Sequence, residues 1–422
     1  MPVELPDHLP ERLAITLWDF SWYARAGEGD AFADLDACFA AAVERGYNTV
    51  RICAMPFLLF GSGIDHTSLT FTPLGGGYGQ RTRWYDVRST VRMDGRQHLL
   101  DLFAAARRHD CYVILSSWEY QQSPCFLDNP AWADALFAVP AKDRLDVLAD
   151  ALADLVAFLG EHELADRIAF VELHNEVQVT RLADAAEDGE HPIAALRPLL
   201  ENAVERFRER HPRQLVTANF AGVPVAAMRH LPTNVDVAVF HPYVYGVLGE
   251  LVETFALRDD GRPFPQERAQ AELLRPGAPP VGEWQLPDAE RWRARATIMR
   301  QRELYVHDWC DPVKWDRWLY DRYGEHRLAM DQKLQLWLDV AADWAAANGV
   351  PLVFGEGWVG YTPLYGTFEE GPVGAAFCER AVQLSQHVDA WGTIVCSNAA
   401  PQHPMWADVP LQRRLNEAFL AS

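Results

Sequence analysis

Residues 143–176, DRLDVLADALADLVAFLGEHELADRIAFVELHNE, hold an amphipathic helix followed by an apolar strand. From 143 to 159 the apolar residues recur at helical spacing. From 168 they run almost unbroken, as in a strand buried on both faces. That run closes on Asn175 and Glu176, and PLVFGE (351–356) closes in the same way on Glu356. Outward from these two, LAITLW (13–18), NTVRICAM (48–55), CYVILSSW (111–118), QLVTANF (214–220), VDVAVFHPY (235–243) and WGTIVCSN (391–398) read as further strands. Helical patterns lie between them, over 95–109, 194–210, 328–347 and 373–387, with a short one near 224–230 and a last one near 409–420. After the first strand, Asp30 is placed to cap a helix carrying Phe32, Leu35, Phe39, Ala42 and Val43, which Gly46 ends.

Strands that alternate with helices pair in parallel, because each helix is a crossover. Eight such units predict an α/β chain of the (β/α)8, or TIM-barrel, kind. An open doubly wound sheet is the alternative, but LWDFSWYARAGEG after the first strand is not the GxGxxG turn such sheets usually carry. A barrel needs about 250 residues. The excess in this chain of 422 falls at 56–94, after the second strand, and at 244–327, after the sixth. Both insertions are expected to cap the active-site face of a single domain spanning 1–422. Within the first, GGGYG (75–79) reads as a mobile turn. The second holds Trp284, Trp292, Trp309, Trp315 and Trp318, read mainly as that insertion's own core.

The net charge of −21 argues against nucleic acid and against anionic membranes as partners. No run of about 18 apolar residues is present to span a bilayer. The N-terminal MPVELPDHLPERLAITLW lacks a basic region followed by an apolar stretch and cleavage site, so a cytoplasmic location is expected. The seven cysteines, odd in number and without CxxC, fit reduced, buried thiols. Fifteen tryptophans suit a protein that stacks flat ligand faces.

In a barrel the functional side chains gather at the strand C-termini. Reading those ends collects Trp18, Asp19, Arg51, Trp118, Glu119, Asn175, Glu176, Asn219, His241, Tyr243, Glu356, Ser397 and Asn398. Two carboxylates converging on one pocket suit glycoside hydrolysis: one acid protonates the leaving oxygen, and one anion meets the charge growing at the anomeric carbon. Glu172 and His174 share a strand face with Glu176, by period two. With His241 they raise the thought of a metal, but no short His/Asp spacing supports a metal site. His174 reads instead as a packed, hydrogen-bonded residue.

Four elements carry a family resemblance: Arg51 in NTVRI, Asn175–Glu176 in VELHNE, His241 and Tyr243 in FHPY, and Glu356 in LVFGEG. Their order resembles the clan A glycoside hydrolases, closest to the family 5 cellulase and mannanase type, over most of the chain outside the two insertions. The resemblance implies a retaining β-glycosidase that acts on a carbohydrate substrate and needs no cofactor. It makes Glu176 the acid/base and Glu356 the nucleophile. Asn175 is then the ligand of the sugar 2-hydroxyl, and Arg51 and Tyr243 contact the nucleophile. His241, Trp18, Asp19, Trp118, Glu119 and Trp358 complete the expected substrate-binding set. The chain departs from the family where the third strand ends in Trp118–Glu119 rather than a histidine. It departs again at Val177, where a proline is usual, and at CSN on the eighth strand, where a platform tryptophan is common. Trp358 or Trp406 would have to replace that platform. The large insertions point to a closed pocket and to cleavage from one end of small glycosides or oligosaccharides. A catalytically silent sugar-binding protein on the same barrel is the alternative. The sequence does not speak to oligomeric state.

Overall fold

The computed structural model describes residues 2–360 and 362–422. Among the described residues eleven strands are formed: β1 (Leu13–Asp19), β2 (Thr49–Cys53), β3 (Leu69–Phe71), β4 (Val91–Met93), β5 (Tyr112–Ser116), β6 (Ile168–Glu172), β7 (Val216–Thr217), β8 (Asn219–Ala221), β9 (Ala238–His241), β10 (Leu352–Phe354) and β11 (Gly392–Ile394). Nine of them make one parallel sheet in the order β7-β6-β5-β2-β1-β11-β10-β9-β8. Its two ends, β7 and β8, are separated in the chain by Ala218 alone, so the sheet curls into a near-closed barrel. The interior is packed tightly. A Cβ on Gly392 of β11 would stand 3.1 Å from Ile15 Cδ1 of β1 and 3.2 Å from both γ-methyls of Val353 in β10.

Crossover helices surround the sheet. In Arg144–Glu161 the buried Leu145, Leu148, Leu152, Leu155 and Leu159 form one apolar stripe, as the sequence predicts. The helix after β1 runs over Leu35–Glu44 and is capped by Asp34, whose side chain accepts from the Ala37 N–H at 3.0 Å. The cap is therefore not Asp30, which accepts from Ser89 Oγ instead. Phe32 misled the periodicity: it is buried from the preceding turn, against Trp18, at 5.3 Å between ring centroids. Asp34→Ala is expected to cost about 1 kcal/mol in urea unfolding, and Asp30→Ala to leave this helix capped.

The helix expected at 328–347 is Pro312–Asn348, 37 residues long, so it begins inside the expected second insertion. Asp311 caps it by accepting from the N–H groups of Val313 and Lys314. None of its residues from 320 to 329 is buried, so that stretch carries no apolar periodicity to read. The expected strand at 391–398 also shrinks, to Gly392–Ile394.

The segment 56–94 contains a π-helical turn (Phe57–Gly61) and the antiparallel pair β3/β4. The segment after β9 contains helices Val247–Thr254, Gln266–Glu272 and Gln301–Trp309 and a 3-10 stretch at Asp288–Arg295. The two segments are clasped together. Asp308 accepts from the Gly79 N–H at 2.5 Å, the Arg81 N–H at 2.8 Å and the Thr82 hydroxyl at 3.0 Å. The GGGYG turn is thus tied down at its end, with Gly75, Gly76, Gly77 and Gly79 all at positive φ, where a side chain would be strained. Trp284 stacks on Tyr78 at 4.0 Å, and Trp318 packs on Phe255 at 6.0 Å. All seven cysteines are buried and free. Among the described residues no helix is long and apolar enough to cross a membrane.

Candidate active site

Arg51 sits mid-strand in β2, fully buried, and organises the barrel mouth from beneath. Its Nε and Nη2 donate to Glu172 Oε2 at 2.9 and 2.7 Å, Nη1 donates to Glu356 Oε1 at 2.8 Å, and Nη2 also reaches Asn175 Oδ1 at 2.7 Å. Its guanidinium lies 4.6 Å from the centre of the Trp118 ring. One cation thus answers two carboxylates, and a buried charge left without such a partner would be costly. Glu172, the last residue of β6, also accepts from Asn219 Nδ2 at 2.7 Å.

The β6 strand ends there, four residues before Glu176. Glu176 occupies the left-handed region (φ 45°), with its N–H donating to Asn219 Oδ1 at 2.5 Å. The expected alternation of Glu172, His174 and Glu176 along one strand face is therefore broken. Asn175 is turned out of the sheet by a bond from its N–H to the Ser117 carbonyl at 2.8 Å. His174 points elsewhere. Its Nδ1 donates to the Asn175 carbonyl at 2.7 Å and its Nε2 accepts from the Tyr120 N–H at 3.0 Å. Burial lowers its pKa to about 3, so it is a neutral, hydrogen-bonded core residue.

Glu176 and Glu356 meet across His241. His241 Nδ1 is 3.1 Å from Glu176 Oε1 and 3.7 Å from Glu356 Oε1, and one oxygen of each glutamate and one imidazole nitrogen all lie within 4.8 Å of one another. The second oxygen of Glu356 accepts from Tyr243 Oη at 2.9 Å. The Ser397 hydroxyl, 2.6 Å away, supports the same phenol oxygen, while Ser397 Oγ accepts from the Gly357 N–H at 3.0 Å. Burial raises the Glu176 pKa to about 7, against the opposing pull of the Arg51 charge and the Gln121 hydrogen bond. Burial lowers His241 to about 4, so the imidazole is neutral near pH 7. The two glutamates therefore differ in environment: Glu356 holds direct contacts from a guanidinium and a phenol, whereas Glu176 is held by neutral groups.

These side chains floor a cavity of about 730 Å³ that Asp19, Trp118 and Asn175 also line. Asp19 closes β1 at φ 44° and accepts from the Ser21 N–H at 2.6 Å and Gln402 Nε2 at 3.0 Å. Burial raises its pKa to about 7. The walls come from both expected insertions, with Trp84 and Tyr85 from the first and Arg258, Met299, Arg300 and Glu303 from the second; Lys333 and Trp337 of the long helix add to them.

Three expected sugar ligands do not reach this cavity. Trp18 turns into the core between Phe32 and Phe39, with ring centroids at 5.3 and 4.7 Å. Glu119 turns back under the π-helical turn and accepts from the N–H groups of Phe57 at 3.1 Å and Leu58 at 2.8 Å. Trp358 is buried against Phe354, and its indole N–H donates to the Val395 carbonyl at 2.9 Å. Trp406 stacks on Tyr47 at 5.9 Å and does not line the cavity either. Residues at a strand end alternate faces, and the sequence alone does not say which side of the closing turn each takes. The reading also missed Gln121, Trp84, Lys333 and Trp337. Glu172, read only as a neighbour of Glu176 on one strand face, proves to be the buried partner of Arg51. Among the described residues, Glu176, His241 and Glu356 are the one His/Cys/Asp/Glu group compact enough to hold a metal ion. Arg51, 2.8 Å from Glu356, already supplies positive charge there and opposes a dication.

The near-closed parallel barrel with its polar set at the strand ends is the clan A glycoside hydrolase fold of the cellulase and mannanase type. The chain belongs to the cellulase-like family described as sugar-binding cellulase-like, whose model matches residues 15–420. Among solved structures it is similar to a protein of Parabacteroides distasonis ATCC 8503 named as a candidate glycoside hydrolase. That likeness is 21% identity over 97% of this chain and 94% of the other, with a TM-score of 0.68. It is also similar in fold to an endo-β-1,4-mannanase of Thermotoga petrophila, at 11% identity over 99% and 78% of the two chains and a TM-score of 0.51. No curated protein sequence matches it.

Proposed function

We propose that the chain is one catalytic domain that hydrolyses β-glycosides with retention of configuration. The fold is then an eightfold barrel in which β7 and β8 are one strand interrupted at Ala218. The reading is carried by the approach of Glu176 and Glu356, whose nearest oxygens lie within 4.8 Å. Retaining enzymes hold their carboxyl groups about 5–5.5 Å apart, whereas inverting ones leave about 6.5–9.5 Å for a water. Glu356 attacks the anomeric carbon as Glu176 gives its proton to the departing glycosidic oxygen. Glu176, now a carboxylate, takes a proton from water. The water oxygen attacks the anomeric carbon and releases Glu356. Asn175 is placed for the sugar 2-hydroxyl, and Asp19, Trp118, His241 and Tyr243 for the rest of the ring. Walls drawn from both long segments favour small glycosides, or oligosaccharides cut from one end.

A panel of aryl β-glycosides tests this reading. Because the acid must be protonated, activity is expected to fall as pH rises through about 7, the value to which burial brings Glu176. Glu176→Ala should lose about 10²–10⁴-fold in rate on sugar leaving groups, which need a proton. It should lose far less on dinitrophenyl glycosides, which do not. Sugar binding without turnover on any glycoside would replace this reading with that of a silent binding protein.

A further inference from the structure

In the turn after β5, two residues beyond the Trp118–Glu119 pair that stands where the resemblance leads one to expect a histidine, Gln121 takes up a post that the reaction scheme has not used. It is 5% exposed and lines the cavity. Its backbone is fixed at both ends: the N–H donates to the Trp118 carbonyl at 3.0 Å, and its carbonyl accepts from the Ile298 N–H at 2.9 Å. Its side chain joins the two residues of the Asn–Glu pair. Oε1 accepts from Asn175 Nδ2 at 2.8 Å, and Nε2 donates to Glu176 Oε2 at 3.3 Å.

The direction of these bonds follows from the partners. Asn175 Oδ1 accepts from Arg51 Nη2 at 2.7 Å, so its nitrogen is the end that meets Gln121. Gln121 must answer with its carbonyl, which leaves only its N–H for Glu176. A one-way chain therefore runs from the buried guanidinium through two amides to one carboxyl oxygen. On the other oxygen stands His241, whose buried Nε2 has no partner. A proton on Nε2 would be a stranded donor, so the proton belongs on Nδ1, facing Glu176 Oε1. Glu176 is further faced by the charges of Arg51 and Arg258, by Glu356, and by the phenols Tyr243 and Tyr245. Glu303 pairs with Arg258 at 2.5 Å behind them.

We propose that Gln121 is a positioning residue for the acid/base: its amide, oriented by Arg51 through Asn175, stabilises the Glu176 carboxylate that the second half of the reaction needs. Burial alone favours the protonated acid, which serves only the first half. An N–H aimed at the carboxylate offsets that bias and keeps one group usable in both halves. This rests on Glu176 being the acid/base.

The test is titration of ¹³C-carboxyl-labelled glutamates by NMR, with the Glu176 signal identified by its loss in Glu176→Gln. The titration is run on the whole protein and on Gln121→Leu and Gln121→Glu, alongside kcat/KM against pH on one aryl β-glycoside. In Gln121→Leu the Glu176 midpoint is expected to rise by about one pH unit, and the basic limb of the rate profile to rise with it. Gln121→Glu should raise both further, since a second carboxylate beside Glu176 opposes its ionisation. It decides the matter alone if the leucine variant does not fold. A Glu176 midpoint that stays in place in the folded variants overturns the inference. A midpoint that moves while the basic limb does not overturns the reading of Glu176 as the acid/base instead.

Discussion

Glu356→Gly is expected to lower hydrolysis of an aryl β-glycoside by about four to six orders of magnitude, and azide to restore turnover as an α-glycosyl azide. The side chain removed is the one that Arg51 and Tyr243 hold in place, at 2.8 and 2.9 Å. Its loss leaves a space on the face of the sugar opposite the leaving group, and a small anion entering there attacks as the carboxylate would. The Glu176 proton is still available, so the leaving group departs normally, and the azide adduct has no neighbouring base able to cleave it. The stereochemistry is the decisive observation. An α-azide requires that Glu356 lie on the α-face as nucleophile. A β-azide would place the missing group on the leaving-group side and exchange the roles of Glu356 and Glu176. Absence of rescue from a folded variant, with the panel silent for the unaltered protein, would favour sugar binding without hydrolysis.

Much of this site could be read from the chain because the burial of charge is visible in sequence. A glutamate or an arginine inside an apolar run such as TVRIC or IAFVE has few reasons to be there, and the structure pairs those two, Arg51 with Glu172. The barrel is legible on the same ground: strands buried on both faces lack polar alternation, and the helices between them keep theirs. What the runs conceal is where each strand stops. Glu176 was read as a strand end, yet β6 closes at Glu172 and a turn carries Asn175 and Glu176 into the mouth. The same ambiguity sent Trp18, Glu119 and Trp358 to the wrong side, because one residue of slip reverses the face. Gln121 was invisible for a different reason. It sits in no periodic segment, and its importance comes from Asn175 and Glu176, which lie more than fifty positions away in the chain. The long helix was underestimated because its exposed middle has no core to pattern it.

Arg51→Met is expected to destabilise the fold by about 3–5 kcal/mol, and to abolish activity at every pH where the variant remains folded. Two separate losses combine here. Glu172 is fully buried and would face the interior without its cation. Its remaining donor, Asn219 Nδ2 at 2.7 Å, is neutral. Glu356 would lose the guanidinium 2.8 Å away and keep the Tyr243 hydroxyl, so a neutral donor alone would be left to hold its side chain in place. A lysine does not repair this: the guanidinium uses three nitrogens on Glu172, Glu356 and Asn175 at once, and a single ammonium on a flexible stem cannot hold that fork. The double variant Arg51→Met/Glu172→Gln separates the two losses. Neutralising Glu172 removes the stranded charge, so urea unfolding should recover more than half of the lost stability. Activity should stay absent, because Glu356, the proposed nucleophile, has regained nothing. Full recovery of activity in the double variant would show that Arg51 serves only to neutralise Glu172. Loss of stability undiminished by Glu172→Gln would show that the arginine is held for its packing on Trp118, 4.6 Å away, rather than for its charge. The expected split, stability returning without turnover, assigns one buried cation two duties, one to the fold and one to the chemistry.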